Sequence, residues 1–303
     1  MNELIALFLN NLLPILLASG AGYALSRFID LNPRTLSQVI FYIFSPCLIF
    51  TLLIENKLGD GDVLRILFFS GSVILLIGLL TYLTGKALKM ERTTLSGVLL
   101  TSMYMNAGNF GLPLVMFAFG ESALGFASIC FVASAILINT IGVVTASMGS
   151  TSFAQALINL LKIPTVYALI LAILFLRLGW TMPLPLERTV TLLGDASIPS
   201  MLVLLGLQFK HLNWSGKLLP IALSSGMRLL AAPAIALLLA PIFGLSGPAY
   251  QAGVIQAAMP SAVLATVVAT EYNVEPTMVT AGVFVSTLLS PFTLTPLLAF
   301  LGA

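Results

Sequence analysis

Charge is scarce in this sequence. Of its 303 residues only 8% are Asp, Glu, Lys or Arg, there is one histidine, and there are two cysteines. So little charge excludes an ordinary water-soluble domain, in which about a quarter of the residues are charged. A net charge of +2 is too small for a nucleic-acid partner. Cys47 and Cys130 both fall inside apolar runs, where they act as small hydrophobes rather than as a disulfide or metal pair. The lone histidine, His211, stands in a polar break between Lys210 and Asn213 and reads as a surface residue. No Walker motif and no G-x-S-x-G motif occurs. Without a nucleophile beside a base, or a metal cluster, the chain is not expected to be an enzyme, and no cofactor is implied.

What fills the sequence is apolar: 59% of the residues are hydrophobic. Apolar runs of about 20 residues, each able to cross about 30 Å of hydrocarbon as a helix, recur along the whole length. They predict an all-α polytopic membrane protein with ten transmembrane helices, near residues 4–26, 34–54, 63–85, 94–119, 122–147, 163–178, 187–208, 217–242, 248–270 and 276–301. The first run has Glu3 and no Lys or Arg ahead of it, so it lacks the basic start of a cleavable signal peptide and is expected to be retained. Ten spans put both termini on one side. With the N-terminus outside, the inner loops collect Arg27, Arg34, Lys86, Lys89, Arg92, Lys162, Lys210 and Lys217. The outer loops then hold Lys57, Arg65, Arg177 and Arg188. Eight basic residues against four favour both termini outside. Arg228 belongs to neither side, since it falls about eleven residues into the eighth span.

An internal repeat is visible at an offset of about 150 residues. Pro14 and Arg27 flank the first span as Pro164 and Arg177 flank the sixth, and Pro46 in FSPCLIF matches Pro199 in SIPSMLV. CFVASAILIN, Cys130 to Asn139, lines up with VFVSTLLSPF, Val283 to Phe292. Five spans per copy is an odd number, so the second copy enters the membrane from the opposite side. The expected organisation is a first repeat over 1–148, a cytoplasmic linker over 149–162 and an inverted second repeat over 163–303, a pattern found in many secondary transporters.

The fourth span carries YMNAGNFGLPLVMF, with two asparagines, two glycines and a proline where a membrane helix should be continuous. Asn109 precedes Pro113 by four residues, and in the ninth span Gln256 precedes Pro260 by four. Proline removes a backbone donor and crowds the preceding turn, and Gly108 and Gly111 loosen the first copy further, so unwinding at mid-membrane is expected in both. Unwound backbone cannot face lipid and survives only where it is buried or lines a cavity. Half-helix N-termini carry partial positive charge and the amides add donors and acceptors, which together suit a carboxylate. The candidate substrate-binding set is therefore Asn106, Gly108, Asn109, Gly111 and Pro113 from the first break, Gln256, Met259, Pro260 and Ser261 from the second, with Ser45 and Arg228.

Each of these residues also has a structural reading. Kinks and amide glue are common between membrane helices, a serine hydroxyl often bonds its own helix, and Arg228 would equally tie down the carbonyl ends of the broken helices. Arg228 is too deep to snorkel, so it needs a partner: unwound carbonyls, Asp195 or a substrate carboxylate. Asp195, Glu121 and Glu271 are the acidic candidates for coupling to H+ or Na+; a solvated helix-end role is the alternative for each.

NAGNFGLPL in the fourth span, AAMPSA in the ninth and the early FYIFSPCLIF resemble the bacterial members of the auxin efflux carrier family, relatives of the plant PIN-type carriers and of malate or malonate permeases. The resemblance covers essentially the whole chain. It implies a scaffold domain (spans 1, 2, 6 and 7) and a transport domain (spans 3–5 and 8–10) whose broken fourth and ninth helices cross at Pro113 and Pro260. It further implies an elevator-type carrier of a small organic anion in the bacterial inner membrane, with homodimerisation through the scaffold domain. The plant carriers have a long hydrophilic loop between spans five and six; here that link is short. A sodium-coupled symporter of the bile-acid-transporter-like fold, and a membrane sensor or channel on the same fold, are the alternatives these features leave open.

Overall fold

The computed structural model describes residues 2–56, 58–147, 158, 161–208 and 216–303. Lys57, Lys210, His211 and most of the expected linker lie outside them. Among the described residues all named elements are helices. Helices α1 (Glu3–Phe28), α2 (Pro33–Glu55) and α3 (Asp60–Ala87) come first, then the short α4 (Arg92–Met103) and the long α5 (Ala107–Ala146). Next come α6 (Pro164–Leu178), α7 (Leu184–Gln208) and α8 (Leu218–Leu239). The short α9 (Gly247–Ala257) and α10 (Leu264–Glu271) precede α11 (Pro276–Leu301).

Seven of these helices, α1, α2, α3, α5, α7, α8 and α11, are long and apolar enough to cross a membrane. The regions expected to be spans four, five and nine look different from simple rods. Helix α4 stops early within the fourth, α5 runs through the rest of the fourth and on through the fifth, and α9 and α10 divide the ninth between them. Within α5 the chain turns at Gly120, whose φ of 74° and ψ of −168° lie in a region essentially reserved for glycine. The helix starts are marked in the sequence. Pro33, Pro164 and Pro276 occupy first turns, where a missing N–H costs nothing, and the Asn32 side chain caps α2 by accepting from the Arg34 N–H at 2.9 Å.

Burial runs opposite to that of a soluble protein. Leu238, Ile242 and Phe292 stand bare on the outside at 71%, 76% and 78% exposure, whereas Arg228, Gln256 and many serines and threonines are buried. A lipid solvent accepts the apolar rim and forces polar groups to find partners within. Helix α1 packs on α7, and α2 packs on α6 and α7; α5 packs on α3 and α9, while α8 packs on α3, α4 and α11.

The α1–α7 contact is a backbone contact. A Cβ on Gly206 would strike the Ser19 carbonyl and come within 2.6 Å of the Tyr23 nitrogen, and one on Gly22 would strike the Val203 carbonyl. Small residues let two membrane helices approach this closely. Gly206→Ala is therefore expected to lower thermal stability in detergent by at least the roughly 1–3 kcal/mol typical of overpacking. Gly20→Ala, two residues before Gly22 on α1 and with nothing within 4 Å of the added carbon, serves as the control and should melt like the parent.

Candidate functional site

Helix α4 ends at Met103 and α9 at Ala257, each followed by a short non-helical segment. The two segments meet as an antiparallel bridge between Met105 and Ser261. The Asn106 N–H donates to the Pro260 carbonyl at 2.7 Å, and the Ala262 N–H donates to the Tyr104 carbonyl at 2.8 Å. Backbone that lost its helical partners thus finds them in the other break, as burial away from water demands. Serine side chains complete the junction. The Ser261 hydroxyl donates to the Thr101 carbonyl at 2.6 Å, and the Ser261 N–H donates to Ser286 Oγ at 3.1 Å.

Three further carbonyls lie at the ends of α4 and α9, and one side chain takes all of them. Arg228, fully buried on α8, donates through Nη1 to Ser102 O at 3.1 Å and Met103 O at 2.9 Å, and through Nη2 to Ala257 O. Helix C-termini carry partial negative charge, so a guanidinium is electrostatically at home there. Its partners are carbonyls and not Asp195, which lies exposed at the end of an α-helical stretch within α7. Among the described residues Arg228 is the one buried charged side chain.

The first break is displaced from where proline chemistry places it. Unwinding was expected around Gly108 to Pro113, but the residues outside any helix are Tyr104 to Asn106, and Ala107–Gly111 winds as a wide π turn ahead of α-helix from Leu112. The widened turn relieves the crowding that the Pro113 ring imposes on the preceding carbonyls, so the helix tolerates the proline near its start. Pro113 consequently lies beyond the bridged segment, whereas Pro260 lies within it. Gln256 is buried, donates from Nε2 to Ala107 O at 3.2 Å, and packs its Oε1 where a Cβ on Gly111 would stand.

Beside the bridge lies a cavity of about 130 Å³. Of the expected binding residues, Ser45, Asn106, Gly108 and Asn109 border it; Gly111, Pro113, Gln256, Met259, Pro260, Ser261 and Arg228 lie outside its lining. Ser45 Oγ and Asn106 Nδ2 are buried without a hydrogen-bond partner. Gln208, which the sequence reading passed over, also borders the cavity and has an unpartnered buried Oε1. An adjoining cavity of about 690 Å³ shares Ser37, Phe41 and Gln208 with the first and reaches Arg34 and Glu271. Glu121 and Asp195 are exposed and border neither cavity.

The sequence matches the family described as membrane transport protein over residues 7–298. The chain belongs to that family, the auxin efflux carriers and their relatives. An uncharacterized transporter of Methanothermobacter thermautotrophicus is 26% identical over 86% of both chains. An uncharacterized transporter of Methanocaldococcus jannaschii is 25% identical, again over 86% of both. Auxin efflux carrier component 4 of Arabidopsis thaliana is 31% identical across 45% of this chain and 23% of its own length. This member of the family is an integral membrane transporter and not an enzyme.

The geometry around Arg228 makes a stability prediction. Arg228→Gln leaves at least one of the three carbonyls without a donor, and hydrogen bonds to charged groups are worth about 1.5–3 kcal/mol each. A marked drop in detergent melting temperature is expected, with Arg228→Lys intermediate because one ammonium cannot reproduce the fork. An unchanged melting temperature in Arg228→Gln would remove Arg228 from the junction's structural role.

Proposed function

We propose that this transporter carries a small organic anion, a carboxylate, by elevator-type alternating access. It would do so with ten crossings in two inverted five-helix repeats, over 1–148 and 163–303. The observation that carries the reading is the pairing of two broken helices through Met105 and Ser261 beside a polar cavity. The cavity lies between two packing groups. Ser45 and Gln208 come from α2 and α7, while Asn106, Asn109 and Val263 come from the paired breaks and the start of α5. A site between a scaffold of α1, α2, α6 and α7 and a moving body of the remaining helices is what alternating access requires.

The electrostatics favour an anion although no charged side chain borders the cavity. The N-terminal ends of α5 and α10 begin there, and their orphan N–H groups carry partial positive charge. The opposing negative ends, of α4 and α9, are neutralised by Arg228 from behind. Arg228 thereby acts on the substrate through its field and not by contact. Asn106 and Asn109 offer the direct hydrogen bonds. In this arrangement both termini face outside the bacterial inner membrane and the larger cavity opens toward the basic, cytoplasmic side.

Saturable uptake and countertransport of a labelled dicarboxylate in proteoliposomes test the carrier. Asn106→Ala and Asn109→Ala should each weaken binding by about 1–3 kcal/mol, roughly 5- to 150-fold, without changing the melting temperature. Ohmic single-channel currents would instead establish a channel, and strict sodium dependence a symporter of the related fold. Orientation is checked separately. A cysteine replacing Ala303 should react with an impermeant thiol reagent added to intact cells; reaction only after the cells are opened would reverse the topology.

A further inference from the structure

The ion pairs Lys217–Glu275 and Arg177–Asp60 both tie helix ends, but they differ in what they join. Lys217 and Glu275 meet at 2.5 Å just ahead of α8 and α11, two helices that already pack together. Arg177 and Asp60 reach between the two packing groups. Arg177 lies in the last turn of α6, which packs on α2 and α5, whereas Asp60 opens α3, which packs on α4, α5, α8 and α9.

Both posts of this second pair are firmly set. Phe175, two residues before Arg177, meets Phe50 of α2 and Trp180 edge to face at 5.3 Å and 5.4 Å. Helix α6 then stops at Gly179, whose left-handed backbone lets the Trp180 N–H donate to the Phe175 carbonyl at 3.1 Å. Val63 and Ile66, one and two turns after Asp60, are buried and seat α3 in its own group. Beside the pair the seam is shut, because a Cβ on Gly125 of α5 would come within 3.1 Å of Asn56 and 3.3 Å of Leu58 on the link between α2 and α3. The far end of the seam is open. The cavity of about 690 Å³ borders Arg34 and Ser37 at the start of α2, Glu271 at the end of α10 and Thr280 on α11. Helix α2 separates the two ends by 23 residues, about 35 Å of rise.

We infer that the Arg177–Asp60 pair is a latch of the transport cycle, which holds the seam shut at one end while the other is open and separates when the moving body shifts. This rests on the proposed division into a scaffold and a moving body. The chemistry suits a contact that is made and broken repeatedly. A carboxylate in a first helical turn and a guanidinium in a last turn each sit well against their own helix dipole, so neither needs the other to be stable. The side chains are 36% and 67% exposed, so both charges remain hydrated once apart. An exposed pair shifts a two-state balance by about 1.4- to 5-fold, enough to bias the cycle and too little to arrest it.

Thiol labelling of the whole chain in lipid nanodiscs, where a water-soluble maleimide reaches both faces, tests the latch without any transported ligand. Leu58→Cys reports the shut end and Ser37→Cys the open cavity, with the contribution of Cys47 and Cys130 read from the protein lacking an added cysteine. Asp60→Asn and Arg177→Gln should each speed labelling of Leu58→Cys by about 1.4- to 5-fold and slow that of Ser37→Cys, since one end closes as the other opens. The charge exchange, Asp60→Arg with Arg177→Asp, should bring both rates back toward the parent values. Asn56→Cys gives the same readout if Leu58→Cys does not fold. Faster labelling at position 58 with no change at position 37 is local loosening of the link and would overturn the latch, as would rates that neither substitution moves; the alternating-access reading is untouched in both cases. If position 58 stays unreactive in the folded parent and in every variant, that end never opens, and the alternating-access reading fails together with the latch.

Discussion

The arrangement depends on one buried guanidinium. Interrupting a helix inside a membrane strands carbonyls that water cannot reach, and each stranded group costs several kcal/mol. The two interruptions here settle part of that debt with each other, through the bridge between Met105 and Ser261. The remainder falls on the ends of α4 and α9, where Ser102, Met103 and Ala257 all present their carbonyls to Arg228. A neutral side chain has too few donors, and an ammonium lacks the planar fork. The guanidinium is committed to those carbonyls, and the polar cavity next to the junction is lined by uncharged residues.

Rigidity elsewhere complements this junction. Helices α1 and α7 touch backbone to backbone at Gly22 and Gly206, a contact with no side chain to repack and so little capacity to slide. The junction instead packs through serine and glutamine side chains that hold several specific hydrogen bonds. The α1–α7 contact is thus made by close backbone approach and the junction by polar side chains. The cavity occupies the seam between them, bordered by Ser45 and Gln208 on one side and Asn106 and Asn109 on the other.

Much of this was legible in the sequence, and the exceptions share a cause. Helix α11 runs from Pro276 to Leu301, the expected extent, because a proline start and an apolar run are local signals. That the fourth and ninth segments are interrupted was also readable, from Asn, Gly and Pro in apolar surroundings. Where the first interruption falls was not. The cost of Pro113 depends on whether the turn before it can widen, and that is decided by the packing of Gly111 against Gln256 across nearly half the chain. Arg228 announced that it needed a partner but not which, since carbonyls leave no trace in a sequence. Gln208 looked like the polar end of a hydrophobic run; its place at the cavity is a property of how α7 lies on the start of α5.

The bridge between Met105 and Ser261 joins residues more than 150 positions apart. A chain inserted from its N-terminus therefore reaches the membrane with Tyr104 to Asn106 already present and their partners not yet made. Loop closure over that distance carries an entropic cost, which the bridge and its neighbouring hydrogen bonds must offset. Ser261, from the segment after α9, and Arg228, from α8, both come from the second half. Each half thus supplies one of the two bridged segments, and the junction exists only when both are in place.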